Sequence, residues 1–477
     1  QSTTNPMYVV YGERRIGGHR IYIDTTNATG GQSGDDQDRY LQMGLAISEG
    51  EVGWISRFSF QGADAWIHPD IVALQDSSNP YYTRDEQDND GLPYTTWRDG
   101  GEYNGETYVG FNTTTGISKK FEDRLEFALW RGSPGQTFTA PWFDTVKKKD
   151  SANAFTDWST ADLESMDGSD HANGADVAWG LLRLQYDRDK FPGAPTIQWD
   201  VYGKRVFDIN DDDFANKTQV RNNTWPEVYA DRSKYRNPAN AIYDYLTNST
   251  YGKGLSPNVL DAESLHGLRD YCHNMLEVNG AINTDRTVFD NTQTLLTAAN
   301  AFIVYSQGKY KVKQNHSLTF DSNTFTFNKD NILGEWKIAL GSKKNKQNKA
   351  KINFFNPEEN WQADIITFPE DDTNNTYLDE DNGVLNEKTV DLPLTSVKTQ
   401  AEKLGQFLLK QSRYQDIITF KSTWQALELE VGDPVYLTHD VPGYTDKKFR
   451  VVGLTLQQDA TVDVTLIQYP DDSIFIT

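Results

Sequence analysis

Cysteine is nearly absent: Cys272 is the one thiol in 477 residues, beside four methionines. A disulfide framework within the chain and any Cys-cluster metal or iron–sulfur centre are thereby excluded. Seven histidines (His19, His68, His171, His266, His273, His316 and His439) are scattered without an HExxH pair. Neither a G-x-S-x-G elbow nor a G-x-x-x-x-G-K-S/T phosphate loop occurs. Long apolar runs are missing as well. Mean hydropathy is −0.68, and no uncharged apolar stretch approaches the roughly 20 residues of a membrane-spanning helix. The N-terminal stretch holds Glu13, Arg14, Arg15, His19 and Arg20 where a secretory signal would be apolar. Positive charge is in deficit. Lys and Arg number 46 against 69 Asp and Glu, leaving −23, a balance that repels nucleic acid and anionic lipid.

What is present is aromatic and strand-like. Hydrophobic content of 37% is low, but 12% of the residues are aromatic, and these bury much area each and suit sheets. At roughly 100–200 residues per domain the length predicts about three to four domains. Residues 8–23, YVVYGERRIGGHRIYI, predict a hairpin turning at Gly17-Gly18. Further strands are expected over 40–47, 52–60, 124–130, 177–186 and 197–208. The stretch 61–119 is rich in Asp, Asn, Gly and Ser yet keeps Tyr81, Tyr82, Tyr94 and Trp97, so it reads as an ordered, loop-rich insertion.

Near 236 the pattern changes. Asn237-Pro238 sets a capping side chain before a proline at the first helical position. Ala239, Ile242, Tyr243 and Leu246 follow at helical spacing. A second helix is expected over Asp261–Val278 and a third over 291–302. Gly308 breaks 303–313 into a hairpin, and strands follow at 318–328, 333–340 and 350–356. A helix over 396–412 aligns Val397, Ala401, Leu404, Phe407 and Leu408, and strands at 415–423, 434–438, 448–457 and 462–468 complete the chain. The expected class is mainly β with α+β elements and a few short helices. The expected division is a β-rich domain over 1–60 plus 120–235, the insertion 61–119, a helix-containing domain 236–315, a β-rich domain 316–395, and a helix plus β domain 396–477.

Three clusters invite a chemical reading. Glu86-Gln87-Asp88-Asn89-Asp90-Gly91 imitates the start of an EF-hand loop, but its twelfth position is Trp97 instead of an acid. It reads as a solvated acidic loop, as do Asp211–Asp213 and Asp379–Gly383. His266 and His273 lie seven apart on the expected second helix and read as surface or capping residues. Lys343–Lys351 carries +5 without interleaved aromatics and reads as a solubilising loop or one docking on an acidic neighbour. Cys272, on an apolar helix side, reads as a buried thiol.

Several motifs carry a family resemblance. The block RNPANAIYDYLTNSTYGKGL at 236–255, together with VVYGERRIGGHRIYI and LLRLQYDRDKFPGAPTIQWDVYGKRVFD at 181–208, resembles the central tail hub of long-tailed bacteriophages, the lambda-like tail-tip attachment proteins. INFFNPEENWQ at 352–362 and LELEVGDPVYLTHDVPGYTDKKFRVVGL at 427–454 resemble later hub domains. The residues that carry it are Gly12, Gly17, Gly18, Pro192, Gly193, Pro195, Asn237, Pro238, Tyr243, Leu246, Tyr251, Gly252, Gly254, Gly432 and Asp433. Their physical reading is structural: stiff turns at the prolines, glycine-only corners, and Ile242, Tyr243 and Leu246 docking a helix on a barrel.

The resemblance implies a multi-domain hub of tube-like β-barrel domains, without cofactor, metal or catalysis. It implies a homotrimer whose two barrels per subunit imitate a six-fold ring and cap the tail tube. It implies as partners the distal tail and tube proteins, a tape measure protein and receptor-binding fibres or spikes. Phage DNA would pass through the lumen without specific binding, and no stable membrane insertion by this chain is expected. The implied location is the distal end of the virion tail, assembled in the host cytoplasm. Lambda-like tip proteins continue beyond the hub, whereas this sequence ends at Thr477, so receptor recognition is expected from separate fibre proteins. Two other readings remain open at this level. The 12 Trp and 24 Tyr suit a receptor- or glycan-binding tail protein, with barrel burial as their plainer use. A tail-associated hydrolase would need an acid/base pair that no motif supplies.

Overall fold

The computed structural model describes residues 7–26, 40–67, 94–96, 99–103, 106–109, 125–132, 147–149, 155–157, 176–185, 195–209, 235–273, 275–371, 375–470 and 472–476. It is mainly β and divides into two compact units. The first comprises Gln1–Phe207, Gln219–Arg236 and Asn279–Asn291; the second comprises Asp208–Thr218, Asn237–Val278 and Thr292–Thr477. Among the described residues no helix is long and apolar enough to cross a membrane.

The first unit holds strands β1 (Tyr8–Tyr11), β2 (Glu13–Ile16), β3 (His19–Thr26), β4 (Tyr40–Glu49), β5 (Val52–Phe60), β6 (Ala63–Ile67), β7 (Tyr94–Thr96), β8 (Asp99–Tyr103), β9 (Glu106–Val109), β10 (Leu125–Arg131), β11 (Lys147–Lys149), β12 (Phe155–Asp157), β13 (Val177–Gln185), β14 (Ile197–Lys204) and β15 (Gly280–Asn283). They form one sheet of order β3-β4-β13-β10-β7 and another of order β2-β14-β5-β6-β9-β8, with β1 paired to β15. Period-two alternation builds the core. Along β14, Ile197, Trp199 and Val201 are buried while Gln198, Asp200 and Tyr202 are less so. Trp199 meets Phe58 at 4.4 Å between ring centroids. Ile16, Leu45, Ile55, Leu129 and Leu182 fill the same cluster.

The expected hairpin at Gly17-Gly18 does not form. β2 pairs with β14 and β3 pairs with β4, which lie in different sheets. The two glycines make a corner that carries the chain from one sheet to the other. Gly18 has φ +72°, and a Cβ there would sit 3.0 Å from the Ala46 carbonyl oxygen. Glycine frees a corner and a hairpin alike; which one forms is decided by the partners available to the flanking strands. Here Arg15 of β2 reaches Asp200 of β14, with Nε 2.5 Å from Oδ1.

The second unit opens with helices α1 (Pro238–Thr247) and α2 (Ala262–Cys272), followed by α3 (Val288–Ala298), which enters it at Thr292. Strands β16 (Ala301–Ser306) and β17 (Lys309–Gln314) form the expected hairpin, turning at Gln307 (φ +53°) and Gly308 (φ +81°). Next come β18 (Thr326–Phe327), β19 (Ile332–Ala339), β20 (Lys349–Asn356), β21 (Gln362–Phe368), α4 (Thr376–Glu380), β22 (Glu387–Asp391) and α5 (Lys398–Gln411). The chain then adds β23 (Ile417–Ser422), β24 (Pro434–His439), β25 (Tyr444–Leu456) and β26 (Val462–Gln468).

Helix α2 stops at Cys272, short of the expected Val278, because the His273 N–H closes on the Arg269 and Asp270 carbonyls. Leu276 and Val278 are nonetheless buried, and burial in the turn and loop after the helix imitates the tail of a helical stripe. Helix α3 runs earlier than expected, since Ala301 and Phe302 belong to β16. Helix α5 buries Ala401, Leu404 and Phe407 as expected and packs on β20, where a Cβ on Gly405 would lie 2.2 Å from Ile352 Cδ1.

Six strands of this unit, in the order β18-β24-β25-β26-β23-β19, curl into a partial barrel. Phe327, Phe420, Val435, Leu437, Phe449, Val451, Val464 and Leu466 fill its core. Its two edge strands, β18 and β19, are consecutive in the chain. Asn331 holds this seam: its Oδ1 accepts the Asn328 N–H (2.8 Å), its Nδ2 donates to the Thr326 carbonyl (2.9 Å), and its carbonyl accepts the Ser422 hydroxyl (2.9 Å). Asn331 thus ties the end of β18 and the turn into β19 to β23. Asn331→Ala orphans the Asn328 N–H and the Thr326 carbonyl and is expected to destabilise the unit by about 1–3 kcal/mol; urea unfolding followed by Trp fluorescence measures it.

Candidate functional site

The motif residues draw together by hydrogen bonding and close backbone approach. Asn237 caps α1: its Oδ1 accepts the Ala239 N–H (3.0 Å), and its Nδ2 donates to the Arg269 carbonyl of α2 (3.0 Å). Pro238 opens the helix at the position where its missing N–H costs nothing. Tyr243 and Leu246 are buried, as are Ala239, Ile242 and Tyr245. Burial, with Asp244 adding to it, pushes the Tyr243 phenol up to about 12.

Past α1 the backbone doubles back on the helix. Tyr251 donates its hydroxyl to Asp244 Oδ2 (2.5 Å), the Lys253 N–H reaches the Tyr245 carbonyl (3.0 Å), and the Leu255 N–H reaches the Leu246 carbonyl (2.9 Å). A Cβ on Gly252 would lie 1.9 Å from the Tyr245 carbonyl oxygen, a distance that no rotamer relieves. Gly254 takes φ +69° and donates its N–H to the Asn248 carbonyl (2.8 Å).

At the centre of the block is a buried polar lock that the sequence does not announce. Asp208, the last residue of the GKRVFD motif, takes a two-pronged contact from Arg269 of α2: Nε to Oδ1 at 3.2 Å and Nη2 to Oδ2 at 3.1 Å. Asn240 of α1 donates Nδ2 to the same carboxylate (3.5 Å) and accepts the Ile209 N–H on Oδ1 (3.2 Å). Asn240 is completely buried.

In the first unit the YG and GK motifs meet in the same fashion. Gly12 (φ +65°) accepts the Gly203 N–H at 2.5 Å, and a Cβ on Gly203 would lie 2.2 Å from the Val10 carbonyl oxygen. Arg236 pairs there with Glu13. Pro195 leads into β14 half-buried. Pro192 and Gly193 lie outside the described residues, as do Glu86–Gly91 and Asp211–Asp213.

The Gly432-Asp433 turn fastens the β16–β17 hairpin. Gly432 has φ +100°, and a Cβ there would lie 2.9 Å from Lys313 Cδ. Asp433 accepts the Glu430 N–H on Oδ2 (2.7 Å) and Lys313 Nζ on Oδ1 (3.2 Å). Lys311 Nζ donates to Glu430 Oε1 (2.7 Å). Burial alone would raise the Glu430 carboxyl, but Lys311, Lys313 and Ser306 outweigh it and hold it below the usual range.

The acidic loop Asp379–Gly383 is engaged by cations of this chain. Arg413 reaches Glu380 (2.6 Å) and Asp381 (3.0 Å), Lys346 reaches Asp381 (3.1 Å), and Lys351 reaches Glu387 (2.9 Å). The basic island is thus tied to acids of its own unit. Asn348 stitches the two loops, donating to Asp381 (3.0 Å) and the Val384 carbonyl (2.8 Å) while accepting the Asn386 N–H (2.8 Å). Burial raises the Asp381 carboxyl, yet Arg413, Lys346 and Asn348 prevail and hold it at about 2. Among the described residues no group of three or more His, Cys, Asp or Glu could hold a metal ion. Cys272 is buried, which pushes its thiol far up, and His273 is an exposed cap residue.

Two outcomes are expected. Arg269→Met leaves the Asp208 carboxylate buried without its cation and destabilises the unit by about 3–5 kcal/mol. Adding Asp208→Asn recovers part of that loss, so the double variant unfolds in denaturant later than the sum of the singles requires. The Asp381 contribution is complete above its ordinary, unfolded value near 3.8 and fades as pH falls toward about 2. Amide exchange in 343–348 and 379–386 therefore accelerates selectively over that window in the native chain, and Asp381→Asn removes the acid dependence.

Residues 290–454 match a family model of phage tail proteins. The baseplate hub protein pb3 of Escherichia phage T5 is 22% identical over 332 residues, which is 63% of this chain and 32% of that protein. The chain therefore spans about a third of the length of that relative. In fold, a chain of the virion of a native gene transfer agent particle superposes with a TM-score of 0.57 at 13% identity, covering 99% of this chain and 86% of that one. Motifs and sequence similarity thus agree: the chain is similar to a baseplate hub protein of a phage tail.

Proposed function

We propose that this chain is a structural virion protein at the distal end of a phage tail, a hub that assembles as a homotrimer. In this reading three copies surround an axis, close the tail tube and form the channel through which DNA leaves. The hub also seats neighbouring proteins: distal tail and tube proteins, a tape measure protein, and the fibres or spikes that recognise the host. The observation that carries the reading is the sequence similarity to a baseplate hub protein across 63% of the chain. It is supported by the use of the motif residues, which go into corners, caps and buried locks. The charge is compatible with it. Three copies would carry three times −23, or −69, and an acidic lumen would let a polyanion pass without adhering.

Native mass measurement of the full chain, free and released from tails, tests the oligomer. The expected species is three times 54.1 kDa. A stable monomer inside intact tails would overturn the trimer, and a reconstruction of the tail end with this chain projecting away from the channel would overturn the conduit.

A further inference from the structure

The ion pairs of the basic island leave two of its lysines over. Lys346 and Lys351 pair with Asp381 and Glu387, whereas Lys343 and Lys344 are exposed and have no ion-pair partner among the described residues. The backbone beneath them is nonetheless pinned. Asn386 Nδ2 donates to the Lys343, Lys344 and Lys346 carbonyls (3.3, 2.9 and 2.8 Å), and Arg413 Nη1 donates to the Gln347 carbonyl (2.9 Å). Asn386 follows the acidic loop Asp379–Gly383, so the two loops make one ridge. On or beside that ridge Leu340, Val384 and Leu385 are 74%, 67% and 54% exposed. Exposed apolar side chains beside unpaired cations, on a backbone with little freedom left to lose, suit a docking surface.

Strand β20 joins this ridge to its electrostatic opposite. It runs from Lys349 to Asn356 and ends in the turn Pro357–Glu359. There Glu358 and Glu359 are exposed and likewise have no cation among the described residues. An asparagine pins this turn as well. Asn356 accepts the Glu358 N–H on Oδ1 (3.0 Å), donates Nδ2 to Asp364 (3.1 Å), and accepts the Trp361 N–H on its carbonyl (2.8 Å). Ile365, on the strand that leaves the turn, is 60% exposed. Eight residues of extended chain hold the two ends about 26 Å apart, so these lysines and glutamates cannot pair within one copy. Between two copies they can.

We propose that the ridge docks on the Pro357–Glu359 turn of a second copy of this chain, setting Lys343 and Lys344 against Glu358 and Glu359. The exposed apolar residues of the ridge pack around those pairs. The occupant is a second copy because the ridge finds its complement on the chain itself, at the far end of one strand. Such a contact joins unlike faces. Unlike faces repeated around an axis close into a ring, whereas a two-fold dimer needs one self-matching face. The inference rests on the homotrimer reading and assigns a contact to it.

The test is the mass of the full chain, free across a concentration series and released from tails. Glu358→Lys with Glu359→Lys replaces two negative charges by two positive ones and brings the net charge from −23 to −19. That change would ease association if overall repulsion alone governed it. Specific pairing predicts the opposite: three-fold association weakens by at least about tenfold, and as much in Lys343→Glu with Lys344→Glu. Combining all four substitutions reverses the pairs and returns the charge to −23, and association should come back to within a few-fold of the native chain. Leu385→Ser, which alters no charge, should weaken it several-fold. Native trimers that neither reversal disturbs, or a four-fold variant no better than the double ones, overturn this contact and leave the trimer reading standing. A native chain that is monomeric, both free and in intact tails, overturns both.

Discussion

The ion pair between Asp208 and Arg269 is the contact on which the helical part of the second unit depends. It joins the residue that ends one motif to a helix 61 positions later in the chain, and Asn237 and Asn240 of the intervening block complete it. Taking both charges out of water is expensive, and a well-packed apolar replacement could match the pair in stability. What the pair adds is alignment. Asp208 satisfies Arg269 and Asn240 together only when α1 and α2 stand in one mutual register, and the Asn237 cap contacts the same turn of α2.

The motif glycines act by a different means to the same end. At Gly203 and Gly252 the backbone of another segment occupies the place of a side chain, and at Gly405 a neighbouring isoleucine does. Such positions set how near two elements can come, so they fix geometry without offering a reactive group. The short turn at Gly432-Asp433 combines both means, since the glycine admits Lys313 and the aspartate then pairs with it.

Legibility followed the range of the interactions. Helix α1 was readable because Asn-Pro is a local signal, and the hairpin at Gly308 because its turn is self-contained. Strands β14, β24 and β26 show the alternation that a single buried face imposes. Partnership was not readable. Whether Gly17-Gly18 makes a hairpin or a corner depends on β14 and β4, and the end of α2 was masked by apolar residues buried in the turn and loop that follow it. The lock of Asp208 with Arg269, the Asn331 seam and the capture of Asp381 by Arg413 join residues distant in sequence or use side chains that look like ordinary surface polars. The motif block identified the similarity, but only the folded chain reveals that its Asn237 and Asn240 converge with Asp208 on Arg269 of α2.

The seam at Asn331 bears on how the chain is made. Strands β18 and β19 emerge together, but their partners β24 and β23 come about a hundred residues later. The three-stranded sheet and α5 lie between them. Strand β26 alone bridges β23 to β25, so the wall stays in two halves until Val462–Gln468 has been made. Joining ends so remote carries a loop-closure penalty and slows folding. In the nascent polypeptide, Phe327 and Ile332 therefore remain wet until β26 has left the ribosome.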